Sequence, residues 1–174
     1  MRRQELGGQG IVLRVLTLDD ADEWLAGEDD EQIRWFEFPR PAGREDVVNA
    51  IERWRASWTS SGPVRHWAVC ERGTDAIAGG VEVRDLGDDV VNLSYVVFPA
   101  FRRRGFATSA SRLALAYAER ELGAKTAVIQ VLEDNVASHA VARRLGATRR
   151  GSTASETGGI LIVYELGLPP DEVW

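Results

Sequence analysis

One cysteine and two histidines stand in 174 residues, and their scarcity excludes several chemistries at once. Cys70 alone forms no internal disulfide, and His66 and His139 beside it give no zinc-ligand spacing. That cysteine usage fits a reducing, cytoplasmic compartment. No stretch reaches the roughly 20 apolar residues that a bilayer-spanning helix needs. After Arg2 and Arg3 the N-terminus runs into Gln4, Glu5 and glycines where a signal peptide would need an apolar run. Residues 1–10 therefore read as a flexible terminus, and 167–174 as a tail. Positive charge is in the minority: 21 Lys plus Arg stand against 27 Asp plus Glu, for a net charge of −6. Nucleic acid is disfavoured as a partner, because no broad basic face can be assembled from this composition. Neither a Gly-x-x-x-x-Gly-Lys-Ser/Thr loop nor a Gly-x-Gly-x-x-Gly turn after a strand is present, which disfavours nucleoside triphosphates and dinucleotides.

What remains reads as one domain over residues 11–166, with no internal repeat and no linker. Residues 11–16 predict a strand, and Thr17 to Asp20 supply capping residues for a short helix through Trp24. Residues 33–41 pack Trp35, Phe36 and Phe38 between breakers and charges and predict an irregular aromatic segment. Val47, Ile51, Trp54 and Trp58 share one face of a helix over 43–60. Strands at 66–71 and 76–84 form a hairpin, and a third at 90–98 ends at Pro99. A helix over 107–122 buries a stripe containing Phe106, Ala110, Leu113, Ala114, Tyr117 and Ala118. The apolar strand at 125–131 belongs in the middle of the sheet. A helix over 135–145 and two strands at 147–155 and 160–166 complete a mixed sheet with helices on its faces.

The chemistry is concentrated at the junction Phe98-Pro99-Ala100-Phe101-Arg102-Arg103-Arg104-Gly105-Phe106-Ala107-Thr108. Gly105 lets a ligand approach the backbone, Ala107 leaves room, and the first amides of the following helix have no intrahelical acceptor. A helix N-terminus carries about half a positive charge, and with three arginines beside it the junction suits a diphosphate.

This arrangement resembles the coenzyme-A-binding signature of the GNAT superfamily of N-acetyltransferases, Arg-x-x-Gly-x-Gly/Ala. Leu13-Arg14 with Thr17 and Asp20 is similar to the opening of that superfamily, and Asn135-Val136-Ala137-Ser138 with Leu145-Gly146-Ala147 to its later signature. The Asn-x-x-Ser form and the Trp-rich early region look most like the branch of ribosomal-protein N-terminal acetyltransferases. The resemblance spans residues 11–166 and implies a mixed, mostly antiparallel central sheet of about seven strands flanked by about four helices. It also implies acetyl-CoA as acyl-donor cosubstrate, no metal, and a peptide N-terminus or small-molecule amine as acceptor. Pairing of two copies through late strands or helices is a further expectation of this kind.

The same resemblance implies that the strand ending at Phe98 splays from residues 125–131 and leaves a slot for the pantetheine arm. An amide near Val96 or Val97 would then stabilise the oxyanion. Arg102 to Thr108 would hold the diphosphate, and Asn135 would cap the next helix or touch the cofactor. Two carboxylates are candidates for deprotonating the amine: Glu82, opposite in face to Val81 and Val83, and Glu37, in the aromatic segment where the superfamily builds its acceptor lip. Trp35 and Phe36 are expected to anchor that segment to the core. Many superfamily members place a tyrosine seven residues after the motif asparagine as acid for the departing thiolate; Ala142 stands there, which leaves Ser138 as sulfur-side donor. Tyr164, His66, His139 and Cys70 are read as structural. The competing reading is a non-catalytic acyl-CoA-binding sensor or partner module, for which Ala142 is the best argument.

Overall fold

The computed structural model describes residues 5–8 and 10–168. Its first long strand, β2 (Ile11–Arg14), turns into a helix through one guanidinium fork. Arg14 donates to both oxygens of Asp20 at 2.8 and 2.9 Å, and Asp20 also accepts from the Thr17 main-chain N–H at 2.6 Å. Burial would raise the Asp20 pKa, but the Arg14 and Thr17 bonds outweigh it and hold the carboxyl below the usual range. A 3-10 turn at Leu18–Asp20 then leads into α1 (Ala21–Gly27).

Leu6–Gly7 form a short strand, β1, antiparallel to β2, so part of the expected flexible terminus belongs to the sheet. At the other end Leu168 is buried and its N–H bonds Lys125 at 2.8 Å, so the fold also continues past residue 166. Residues 1–4, 9 and 169–174 of the two expected termini lie outside the described residues.

The segment read as irregular begins instead with a helix, α2 (Asp30–Trp35). Asp29 caps it by accepting from Gln32 N–H at 3.0 Å, and Asp30 and Glu31 fill its first turn. This acidic start is the N-terminal signal that the aromatic composition masked. Helix α3 (Arg44–Thr59) buries Val47 and Ile51 as its spacing requires, with Trp54 and Trp58 half-buried on the same side.

Strands β3 (Val64–Glu71), β4 (Ile77–Gly87) and β5 (Val90–Val97) follow in antiparallel order. Helix α4 (Phe106–Leu122) carries the chain across to β6 (Thr126–Leu132), which lies parallel to β5. After α5 (Val136–Arg144), β7 (Thr148–Ala154) takes the edge and β8 (Ile160–Gly167) inserts between it and β6. Among the described residues the order β1-β2-β3-β4-β5-β6-β8-β7 makes eight strands, and five α-helices flank them, one more of each than expected. The additions are β1 and α2; the mixed, mostly antiparallel architecture is as expected. One core lies between the sheet and the α4–α5 layer, around Trp67, Val81 and Leu115. The other lies beneath α1 and α3, around Trp24, Ile51 and Phe98. Among the described residues no helix is long and apolar enough to cross a membrane.

Ala78 and Val81, three residues apart, both reach the α4-side core, which the two-residue period of a regular strand forbids. The register against β3 slips here, from Val69↔Gly79 to Cys70↔Ile77, so Ala78 is the extra residue of a bulge. Gly79 adopts φ +147°, and a Cβ there would drive into the carbonyl of Val96 on β5. Gly79→Ala is therefore expected to lower stability by about 2–4 kcal/mol. Gly151→Ala, on the edge strand with open space around it, should stay within about 0.5 kcal/mol. Urea unfolding of the two variants checks the contrast.

Candidate active site

Strands β5 and β6 pair at only three positions, Val90↔Thr126, Val91↔Ala127 and Asn92↔Val128. Beyond Asn92, β5 follows β4 to Val97 while β6 follows β8 to Leu132, and nothing bridges them. The wedge between them opens into a cavity of about 970 Å³, bounded by both strands, the N-terminal ends of α4 and α5, and α2. Such a volume is at the upper end for small-molecule sites.

Main-chain direction in the wedge follows from two contacts. Phe98 N–H donates to Ala78 O on β4 at 2.8 Å, and the Val96 carbonyl abuts Gly79 on the same strand. Planar trans peptides then turn the N–H and C=O of Val97 away from β4, into the wedge. Arg102 Nε donates to that Val97 carbonyl at 3.0 Å, which agrees. Of the two amides expected to face the slot, Val97 therefore does so and Val96 does not. The Val96 main chain points toward β4, although the residue still lines the cavity.

The cradle at the start of α4 is built as its sequence requires. Gly105 is the N-cap at φ +81°, and no side chain caps the helix. The first intrahelical bond is Ser109 N–H to Gly105 O at 3.0 Å, so the amides of Phe106, Ala107 and Thr108 have no intrahelical acceptor. All three residues line the cavity. Nothing lies within 4 Å of the position a Gly105 Cβ would take, so the approach is open.

The three arginines, grouped in sequence, part in space. Arg102 lines the cavity, but its guanidinium is held by Asp29 at 2.8 Å and by Glu31, fastening α2 to the motif turn. Arg104, also expected at the diphosphate, does not line the cavity; it pairs with Glu71 and lies over the rings of Phe101 and Phe106. Arg103 lines the cavity and, among the described residues, has no ion-pair partner. Arg144 in the last turn of α5 also reaches the cavity, at a position no sequence motif marks.

On the opposite lip, Trp35 and Phe36 line the cavity instead of anchoring their segment to the core. Phe36 is 40% exposed and stacks on Phe38, which is 47% exposed and lies outside the cavity lining. Glu37 also lines the cavity, with φ +53°. Its carboxylate accepts from Ser155 Oγ at 2.8 Å and from Thr157, tying the lip to the β7–β8 hairpin.

Glu82 stands outside the cavity lining. On β4 it lies opposite His66 of β3 and Ser94 of β5, and of these Ser94 lines the cavity. His66 Nδ1 is 3.4 Å from Glu82 Oε2, and Arg84 reaches the other oxygen at 3.1 Å. Burial would raise the Glu82 pKa, but these partners hold it below the usual range. The His66 ring is buried and stacked on Trp54 with centroids 3.6 Å apart, and its Nε2 finds no hydrogen-bond partner among the described residues. Burial holds its pKa below the usual value near 6.5.

At the start of α5, Asn135 is the N-cap, accepting from Ser138 N–H at 3.0 Å. Ser138 lines the cavity, and its Oγ meets the hydroxyl of Tyr95 from β5 at 2.7 Å. Nothing in the sequence marks Tyr95, one aromatic in a mostly aliphatic strand with its Ser138 partner 43 residues away. Ala142 is fully buried under α5, facing the core. Cys70 is buried, and desolvation pushes its thiol up to about 11, which keeps it protonated. His139 bonds Tyr164 at 2.9 Å.

The acetyltransferase (GNAT) domain family matches residues 11–148. The uncharacterized N-acetyltransferase YoaA of Bacillus subtilis (strain 168) is 24% identical over 164 residues, covering 92% of this chain and 89% of that protein. The structure of RimL, ribosomal L7/L12 alpha-N-protein acetyltransferase, in complex with coenzyme A superposes with a TM-score of 0.85 at 14% identity, covering 97% of this chain and all of that one. The microcin C7 self-immunity acetyltransferase MccE, in complex with acetyl-CoA and AMP, gives 0.78 at 20% identity, over 92% and 94% of the two chains. At such identities the two structures attest a shared fold.

Two expectations follow from this geometry. Arg103→Ala should weaken coenzyme A binding about tenfold, the loss of one charge-assisted bond, whereas Arg104→Ala should leave it within about twofold; titration calorimetry on both reads the difference. His66 adds an acid limb to stability. Its native pKa lies below the unfolded value, so the unfolded chain takes up the proton first and stability falls as pH drops through about 6.5. Urea midpoints between pH 7.5 and 5.5 should decline in the wild type and decline less in His66→Gln.

Proposed function

The chain belongs to the acetyltransferase (GNAT) domain family, and from that premise we propose that it transfers an acetyl group from acetyl-CoA to an amine by direct attack in a ternary complex. The observation that carries this reading is the wedge, where the Val97 N–H faces a cavity that ends at the unpaired amides of α4. A diphosphate on Phe106, Ala107 and Thr108 N–H groups, with Arg103 beside it, lets the pantetheine arm run along β5 in place of the missing strand partner. The thioester carbonyl then accepts from Val97 N–H, and a donor of this kind contributes about 3–4 kcal/mol to the transition state. Holding amine and thioester together supplies the proximity advantage.

Ser138 serves the sulfur side. The amine enters past Trp35, Phe36 and Glu37, and its proton leaves by water along Ser94 to Glu82, since Glu82 does not itself line the cavity. Glu37, bound to Ser155 and Thr157, shapes the lip and does not act as the base. The acceptor is a peptide N-terminus or a small-molecule amine; RimL, named for ribosomal L7/L12 alpha-N-protein acetylation, favours the former and MccE a small molecule. A non-catalytic acyl-CoA-binding module is favoured by Ala142 and by the position of Glu82 behind Ser94.

Acetyl-CoA should release free thiol only when an acceptor is present, and a panel of N-terminal peptides, polyamines and aminoglycosides will identify the acceptor class. Acetyl-CoA binding without acceptor-dependent thiol would establish the module instead. Absence of any binding heat with CoA thioesters would overturn both readings.

A further inference from the structure

The Tyr95–Ser138 contact joins the two walls of the wedge. Tyr95 belongs to the unpaired part of β5, and its hydroxyl reaches the first turn of α5, 2.7 Å from Ser138 Oγ and 3.3 Å from the Ser138 carbonyl. These distances allow two arrangements of the same protons. If Tyr95 donates to the carbonyl, the serine proton points back to the phenol oxygen and none is left for the cavity. If Tyr95 donates to Oγ, the shorter contact, the serine O–H is free to turn into the cavity that Ser138 lines.

Resting on the acetyl-transfer reading above, we propose that Tyr95 is a positioning residue that donates to Ser138 Oγ, so that the serine O–H bonds the departing sulfur and stabilises it as a thiolate. Bond changes balance without a proton passing from protein to sulfur. The amine nitrogen bonds the acetyl carbon, the carbon–sulfur bond breaks, and its electron pair goes to sulfur. The amine's proton leaves by the Glu82 path, and the thiolate takes a proton from water after release.

Two facts support hydrogen bonding over acid catalysis. Burial pushes the Tyr95 hydroxyl up to about 12, whereas a free thiol has a pKa of about 8.5, so a phenol here does not yield its proton to a thiolate. Ala142, at the position of the tyrosine found in many superfamily members, is fully buried in the core and leaves no room for a second phenol.

The test compares Tyr95→Phe, Ser138→Ala and the double variant, with kcat, KM for acetyl-CoA, CoA affinity and urea stability measured for each. Tyr95→Phe keeps the ring that packs on the α4-side core. It should lower kcat about tenfold, one hydrogen bond's contribution, with CoA affinity within about twofold. The double variant should be no slower than Ser138→Ala, because Tyr95 acts only through the serine. The wild-type kcat should show no alkaline fall between pH 8 and 10. Full kcat in Tyr95→Phe, a multiplicative loss in the double variant, or an alkaline fall abolished by Tyr95→Phe would each overturn the proposal. If the wild type binds CoA but releases no thiol with any amine, the acetyl-transfer reading fails and this proposal with it; wild-type turnover with an indifferent Tyr95→Phe sinks this proposal alone.

Discussion

Buried main-chain polar groups have to be satisfied, and in this fold the parting of β5 from β6 leaves a strand's worth of them facing a cavity. β5 is fixed on its other side by β4, and β6 by β8, so neither can swing back to close the gap. The bulge at Ala78–Gly79 seats β4 tightly under Val96 and fixes the direction of the peptide that follows. The protein satisfies one group itself, since Arg102 takes the Val97 carbonyl. The Val97 N–H is left facing the wedge. A ligand arm carrying carbonyls and amides can replace the missing strand, and the rest of the site is arranged around that vacancy in the ladder.

Charge is distributed accordingly. An acidic chain places its motif arginines beside carboxylates from other elements: Asp29 and Glu31 take Arg102, and Glu71 takes Arg104. What faces the cavity with positive charge is Arg103, beside the α4 amides, and Arg144 across the mouth from α5. The two paired arginines fasten elements together. Arg102 joins α2 to the motif turn, while Arg34 pairs with Asp134 and Glu37 binds the β7–β8 hairpin. The lip is thus strapped across the wedge at three points, and the motif turn shares one of those straps.

Local signals in the sequence were enough for the elements that make the wedge. The Pro99 stop, the Gly105 turn, the stripe of α4 and the apolar run of β6 each depend on residues within one turn or strand, and each element appeared within a residue or two of expectation. Features set by distant partners were not legible. The roles of Arg102 and Arg104 are decided by carboxylates 73 and 33 residues away. Choosing between Val96 and Val97 needed the hydrogen-bonding phase of β5 against β4, which a bulge on the neighbouring strand controls. The Asp29 cap of α2 is masked by the aromatic composition around Trp35 and Phe36, and those rings line a cavity that exists only after the sheet is assembled.

Tyr95 illustrates the same limit from the chemical side. By composition it is one aromatic in a strand of valines, and by alternation it falls on the face that packs under α4. Its hydroxyl lies at the edge of that face, where the loss of β6 as a neighbour opens a path to α5. On α5 itself Ala142 belongs to the core and stands outside the cavity lining. The serine one turn earlier is too short to be fixed by packing, so its direction depends on what it bonds. A phenol from the opposite wall supplies that bond, and it does so only because the same divergence that exposes Val97 brings Tyr95 within 2.7 Å of Ser138. In the proposed reading the oxyanion donor Val97 and the residue that orients the sulfur donor, Tyr95, stand two apart on one unpaired strand, which couples the placement of both to a single backbone feature.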